Sequence, residues 1–511
     1  MRNPALFWTE TILLGIYLLL LVLLFVYSVG QLLLRRRADK INKLVPQLTA
    51  NGTLPGVTVQ LPVYNEQYVI ERLLLTVAKL DYPREKLQVQ LLDDSTDETT
   101  FIASQLIPGL RAAGLDIVHI RRDNRDGFKA GALAEGLRSA KGDLIVIFDA
   151  DFIPSPDFLL RTVPYFQDDK IGAVQTRWGY VNEQASLLTE IESFLLSLHF
   201  SFEQPNRYRA GLFLNFNGTC GAWRKTAIES SGGWNARTIT EDIDLSYRAQ
   251  LAGWKLIYLN DYVCKGELPE DMSGLRTQQF RWMKGGAENA RIHIPNIFRS
   301  DLPAVTRRNA YHHLLGGSVY LVILVALLLS VPLAFLKNTG IRYDYKDFGL
   351  PFVTSTIALF SVFYYAQSTK WNGRKNLRWF ARFLFHMILF LVFTMGMATH
   401  NGIAVLSGWL GIKSPFVRTP KYGGNRWSAT RYARMRFNFA VLYDIAFIGL
   451  LLTGLIVGYL REQYAFMPMQ LMALAGALWV TGLSVLHPIR AALFRPVGPV
   501  AMQLTSQKQE V

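Results

Sequence analysis

Cysteine is nearly absent. Cys220 and Cys264 are the only two in 511 residues, and neither sits in a CxxC or Cys/His metal spacing. That excludes a disulfide framework and a zinc site, and it favours reduced, cytosolic surroundings. No internal repeat and no low-complexity segment is present. Charge is scarce too: charged residues make up 18% of the chain against 50% hydrophobic, and mean hydropathy is +0.17. A chain of this length exceeds one hydrophobic core, and this balance fits membrane spans joined to a soluble domain. Acidic residues are outnumbered 39 to 54 by basic ones, for a net charge of +15. The excess does not read as a nucleic-acid surface, because its clusters flank apolar runs. Arg35, Arg36 and Arg37 follow the first run, and Arg431, Arg434 and Arg436 precede a later one. Loops facing the cytosol beside an anionic lipid bilayer have that pattern.

Residues 7–34 form an apolar run long enough to cross a bilayer, without the short core and small-residue cleavage site of a signal peptide. With the basic 35–43 segment inside, the N-terminus lies outside. Further spans are predicted at 314–336, 350–367, 438–460 and 468–487. The apolar stretch 383–410 has basic loops on both sides, Lys370 to Arg382 and Lys413 to Arg436. If both are cytosolic it makes no net crossing, so it is predicted to be interfacial or re-entrant, and the total is five spans. The predicted organisation is an N-terminal span with its basic flank (1–37), a cytosolic catalytic domain (38–305) and a C-terminal membrane region (306–511). The whole is a multi-pass protein of the plasma (inner) membrane.

Between about 55 and 265 the pattern changes to short apolar runs alternating with helical stretches. Val57–Pro62, Leu87–Leu92, Ile117–Arg121 and Leu144–Phe148 read as buried parallel strands, with helices near 66–79, 98–108 and 129–139. This alternation predicts a doubly wound α/β sheet, whose ligands lie beyond the carboxyl ends of the strands. The first strand runs into Tyr64-Asn65-Glu66, by itself an ordinary turn. The second delivers Asp93 and Asp94, one acid more than a helix cap needs, and one of them can accept a hydrogen bond from a nucleobase or ribose. The fourth delivers Asp149 and Asp151. Two carboxylates one residue apart at the end of a buried strand suit a hard divalent cation, Mg²⁺ or Mn²⁺, which would bridge the phosphates of a nucleotide. Lys129 opens a helix after a glycine-containing loop, a natural anion site. Glu241 and Asp242 begin another helix, where a carboxylate is either a dipole partner or a general base for an acceptor hydroxyl. Gln278, Gln279, Arg281 and Trp282 lie in a helical stretch next to the membrane. That stretch reads as an interfacial anchor, or as a stacking face for a sugar with a cation for developing phosphate charge.

Taken together, spaced aspartates, DAD, the Glu241-Asp242 pair and Gln278-Gln279-Phe280-Arg281-Trp282 occur in the order found in family-2 glycosyltransferases of the GT-A fold. The chain resembles their processive polysaccharide synthases, in particular the cellulose-synthase-like mannan and glucomannan synthases of plants. Phe216-Asn217-Gly218-Thr219, then Trp223-Arg224 and Gly232-Gly233-Trp234, run parallel to them. The resemblance covers residues 55–290 and, more loosely, the membrane part. It implies an α/β, Rossmann-like GT-A catalytic domain joined to an α-helical transmembrane region. It further implies an inverting hexosyltransferase that builds a β-linked glucan or mannan from UDP-glucose or GDP-mannose onto a glycan acceptor. Asp94 would contact the nucleobase, Asp149 and Asp151 the metal and diphosphate, and Asp242 would be the base. Residues 278–282 would hold the acceptor, with Tyr64, Glu66, Lys129 and Glu241 among the substrate contacts. Residues 413–422, containing Phe416-Val417-Arg418-Thr419-Pro420-Lys421, resemble the gating loop of cellulose synthases, so Thr419 and Lys421 would reach the donor. Arg418 departs from that pattern, which more often has valine. The competing reading is a non-processive transferase adding one sugar to a ceramide or polyprenyl phosphate lipid.

Overall fold

The computed structural model describes residues 4–42, 45, 54–336, 345–371, 373–424 and 440–493. Seven strands form one sheet: β1 (Val57–Val63), β2 (Leu87–Asp93), β3 (Asp116–Arg121), β4 (Leu144–Ile147), β5 (Ile171–Tyr180), β6 (Gly221–Arg224) and β7 (Lys255–Gly266). Their order is β3-β2-β1-β4-β6-β5-β7. β6 runs antiparallel to both β4 and β5, and the other pairings are parallel. The first four strands fall where the sequence put them, but β3 is not buried as expected: it forms the sheet edge, and only Ile117 on it is buried; β5 to β7 extend the sheet beyond that reading.

β1 and β2 are buried on both faces but are not uniformly apolar. Val57, Val59 and Leu61 alternate with Thr58 and Gln60, opposite Gln88 and Gln90 on β2. The polar set forms its own ladder, Thr58 Oγ1 donating to Gln88 Oε1 at 2.9 Å and Gln60 Nε2 to Gln90 Oε1 at 3.0 Å. A buried polar group is tolerated only with such a partner. The helix expected over 66–79 spans Ile70–Val77. Its start is delayed by a turn over residues 67–69, closed by Val69 N and Ile70 N donating to Glu66 O, which follows Asn65 at a left-handed φ of 56° and leaves Glu66 beside the sheet.

Among the described residues, five helices are long and apolar enough to cross a membrane: Pro4–Ile41, Gly316–Leu336, Leu377–Gly396, Ala440–Leu460 and Tyr464–Ile489. This is a membrane protein. The predicted 350–367 span falls in the helix Tyr345–Lys370, which is not one of these five and whose first turns carry side chains outside the described set, while Leu377–Gly396, not counted as a span above, is among them. The 383–410 stretch is not one segment. It is the end of Leu377–Gly396 and a second helix, Ala398–Trp409, with the break at Met397. Contacts with the sheet-bearing unit run along the first of these helices, from Arg382 and His386 on Glu190 to Phe390 against Phe194, and Phe393 shares a buried cluster with Leu188 and Ile191. Beyond the second helix, Ser414 and Thr419 return to the same unit.

The unit is joined to the membrane helices through Leu187–Ser197, a π-helical turn at Leu198–Glu203, and the long helix Met272–Phe298. On the last of these, Arg276 is paired with Asp444 of the 440–460 helix, both buried.

Candidate functional site

β1 and β2 run in register from Val57↔Leu87 to Val63↔Asp93, so Tyr64 and Asp94 leave the sheet side by side and line one cleft. The adjacent acids divide the work. Asp93 is buried and accepts from Ser95 N (2.8 Å), Thr100 Oγ1 (2.8 Å) and His119 Nε2 (2.9 Å). Burial alone would raise its pKa, but these bonds outweigh it and hold the carboxyl low. Asp94 faces the cleft, with Arg122 donating to both of its oxygens. Arg125 stacks its guanidinium 3.3 Å over the Tyr64 ring.

At the end of β4, Asp149 accepts from Lys129 Nζ at 2.6 Å, and Asp151 from Lys421 Nζ at 2.7 Å and Glu267 N at 3.0 Å. No group of three or more metal-ligating side chains converges among the described residues. The donor set is therefore two carboxylates, which fits a hard cation that takes its other ligands from water and phosphate. Lys129 Nζ also donates to Gly218 O at 3.0 Å and lies 3.9 Å from Glu241. Burial would lower its pKa, yet the surrounding carboxylates raise it, so the lysine stays charged.

Gly218 adopts φ +79°, and a Cβ there would lie 3.1 Å from Asp242 Oδ2 and 3.4 Å from Lys129 Nζ. A side chain at this position would fill the space in front of the acid. Asp242 is pushed up to about 7, first by burial and then by the charge of Glu241. A carboxyl tuned to that range is suited to proton transfer near neutrality. Arg281 lines the same cleft, and burial lowers its pKa.

Two cavities meet at Asp242. The cleft, of about 170 Å³, is lined by Tyr64, Glu66, Asp94, Lys129, Asp149, Asp151, Glu241, Gln278 and Arg281, together with residues of the 413–422 loop. A second cavity of about 500 Å³ runs among the membrane helices, past Leu21, Leu24, Ile323, Phe390 and Met472. Trp178, Leu196, Asn217, Thr240, Asp242 and Trp282 line both. Gln278 and Gln279 are split between them, Gln278 on the cleft and Gln279 on the membrane cavity.

The loop closes over the cleft. Thr419 accepts from Arg281 Nη2 at 3.0 Å, and Phe416 lies 4.6 Å beneath the Arg281 guanidinium and stacks on Phe128. Arg418, the departure from the family pattern, pairs with Glu66 at 3.4 Å and donates to the carbonyls of Tyr64 and Asn65. Glu66 is nevertheless raised to about 8, because its burial outweighs the arginine. The sequence reading missed Glu267, which anchors this loop. It pairs with Arg72 at 2.7 Å and accepts from the backbone N–H groups of Tyr422 and Gly423 at 3.2 Å. It stands just past the end of β7, and reading that strand would have found it by the strand-end rule that found Asp94.

Residues 55–285 match the model of the family described as glycosyltransferase like family 2. Glucomannan 4-beta-mannosyltransferase 7 of Arabidopsis thaliana is 39% identical over 295 residues, 55% of this chain and 53% of that one. A probable glucomannan 4-beta-mannosyltransferase 7 of Oryza sativa subsp. japonica is 44% identical over 253 residues, 48% of this chain and 42% of its own. The chain thus spans about half the length of the curated relatives it matches. Among solved structures, the mannosyltransferase PcManGT from Pyrobaculum calidifontis, in complex with GDP-Man and Mn²⁺, aligns with a TM-score of 0.52 and 22% identity. The alignment covers 78% of this chain and 100% of that one, a likeness of fold.

Proposed function

We propose, from the premise that residues 55–285 are a glycosyltransferase family 2 domain, that this protein extends a β-linked glucan or mannan at the membrane from a nucleotide sugar. The observation that carries this reading is the junction at Asp242, where the cleft meets the cavity among the membrane helices. A base at that point can serve an acceptor held on the membrane side and a donor held in the cleft. The reaction is a single displacement. Asp242 takes the proton of an acceptor hydroxyl, and the oxygen attacks the anomeric carbon. The bond from that carbon to the diphosphate oxygen breaks, and the sugar's configuration inverts. Negative charge grows on the leaving diphosphate, which is where the cations Lys129, Arg281 and Lys421 are of use. Asp149 and Asp151 would hold Mg²⁺ or Mn²⁺, which when bound supplies charge neutralisation to the diphosphate. Asp94 with Tyr64 is assigned to the nucleobase of the donor, and Trp282 with Gln278 and Gln279 to the acceptor glycan. UDP-glucose and GDP-mannose are the candidate donors. The mannosyltransferase relatives weigh towards the second.

The catalytic domain is assigned to the cytosolic face of the plasma (inner) membrane, and Leu377–Gly396 with Ala398–Trp409 to an interfacial or re-entrant stretch that makes no net crossing. This reading uses the contacts at both ends of that stretch with the same unit. The test is to incubate membranes with labelled UDP-glucose and GDP-mannose and to size the product. A polymer from one of them is expected. Trp282→Ala should shorten the chains, since losing an aromatic–sugar stack costs about 1–2 kcal/mol, roughly tenfold in acceptor affinity. A lipid carrying a single sugar would overturn the processive reading.

A further inference from the structure

The Asn217 amide at the junction of the cavities has an orientation set by its neighbours. Its Oδ1 accepts from Asn215 Nδ2 at 2.9 Å and Gln204 Nε2 at 3.2 Å, and His199 Nε2 lies 3.1 Å away. A flipped amide would set its NH₂ against two other NH₂ groups, so the oxygen must take this side. The Nδ2 donor is then the free end. It is buried and without a partner among the described residues, on a side chain only 8% exposed that lines both cavities.

The support for that amide reaches into the membrane part. His199 Nδ1 lies 3.3 Å from Glu203 Oε2, and the other oxygen of Glu203 accepts from Gln31 Nε2 at 2.6 Å. Gln31 belongs to the first membrane helix, is fully buried, and also donates to Tyr27 Oη at 3.1 Å. Burial would raise the Glu203 pKa, but the His199 hydrogen bond and the Arg207 charge push it down to about 2, so it stays ionised. His199 and Glu203 both lie on the π-helical turn, a backbone irregularity that recurs at functional sites. Packing alone does not call for glutamine at a fully buried helix position, since leucine would fill it without a polar group to satisfy.

We propose that Gln31 is a positioning residue for the transfer step. Through Glu203 and His199 it holds the Asn217 amide with its N–H groups turned into the cavity junction beside Asp242, where an acceptor oxygen would be received. The inference rests on the functional reading above for the identity of that acceptor, but the coupling itself is testable without it.

Hydrogen–deuterium exchange of the full-length protein in detergent is the first measurement. Gln31→Leu should speed exchange in the 214–219 segment by about fivefold or more, as local opening loses its support. Unchanged exchange there overturns the proposal, whatever the enzyme does. Kinetics on the parent's own sugar donor are the second. Gln31→Leu and Glu203→Gln should each raise the acceptor KM by about tenfold, the size of one lost hydrogen bond to a charged group. Donor KM and donor hydrolysis should stay within about twofold. The exchanged pair Gln31→Glu with Glu203→Gln should recover the acceptor KM that Gln31→Glu alone loses, which also guards against simple misfolding. Parallel losses of hydrolysis, transfer and folded protein, without recovery in the exchanged pair, would mean a purely structural contact. A parent that transfers no sugar would sink the functional reading and leave the exchange measurement to decide this one.

Discussion

Asp242 concentrates most of the chemistry assigned to this protein, and it can be tested at the level of one atom. Asp242→Asn keeps the shape and loses the basic oxygen, so transfer should fall by about 10²–10⁴-fold, the range of general base catalysis. Nucleotide binding should stay within a few-fold. Because burial and Glu241 hold this carboxyl near 7, the base is mostly protonated below that pH and ionised above it. The value of kcat/KM should therefore climb about tenfold per pH unit below 7 and level off above it. A flat profile from pH 5.5 to 8 would remove Asp242 from the role. The pair Asp149 and Asp151 makes a separate claim. EDTA should abolish transfer and Mg²⁺ or Mn²⁺ restore it, while full activity in EDTA with nucleotide still bound would reduce the DAD triplet to a turn.

At the scale of elements, the helices Leu377–Gly396 and Met467–Leu493 touch backbone to backbone. A Cβ on Gly476 would come 2.0 Å from the Val392 carbonyl oxygen and 2.6 Å from Gly396 N. Small residues at such crossings let helices associate without a hydrophobic drive between them. Glycine to alanine in a helix ordinarily gains up to about 1 kcal/mol. Here the clash should reverse the sign and cost about 1–3 kcal/mol through forced separation. Gly482→Ala is the control, because nothing lies within 4 Å of its added Cβ. The melting temperature in detergent should drop for Gly476→Ala and hold or rise for Gly482→Ala. The loop after Ala398–Trp409 is bound at the same scale by Arg418, Lys421, Tyr422 and Gly423, which seat on Glu66, Asp151, Asp271 and Glu267.

For the whole molecule the open variable is which loops share a side of the membrane. If the sheet-bearing unit is cytosolic and the 377–409 stretch makes no net crossing, Lys413 is inside and Glu462 outside. Both positions are exposed, and the native cysteines Cys220 and Cys264 are buried. An impermeant thiol reagent applied to intact cells should therefore label Glu462→Cys and spare Lys413→Cys. Labelling at Lys413→Cys would make Leu377–Gly396 a true span and detach the loop from the cytosolic site.

Local pattern carried a good deal of this. Short runs rich in Val, Ile and Leu marked β1 to β4, most plainly β4, whose four residues are all apolar and buried. The carboxylates following those runs marked the cleft, since strand ends are where an α/β sheet receives ligands. Uniformly apolar stretches marked the membrane helices for the same local reason. Other features were set only by residues far apart in the chain. Asp94 and Asp93 look alike in sequence, and which is structural and which faces the cleft depends on His119 and Arg122 of the next strand and loop. Arg418 looked like a departure from pattern until Glu66, on the far side of the chain, met it. Gln31 read as one polar residue in an apolar helix, and its partner Glu203 is 172 positions away. Side-chain type and spacing determine which element forms, because they act within a few residues. The pairing of buried polar groups waits for the tertiary structure, because burial makes an unmet hydrogen bond costly and only packing brings its partner within reach.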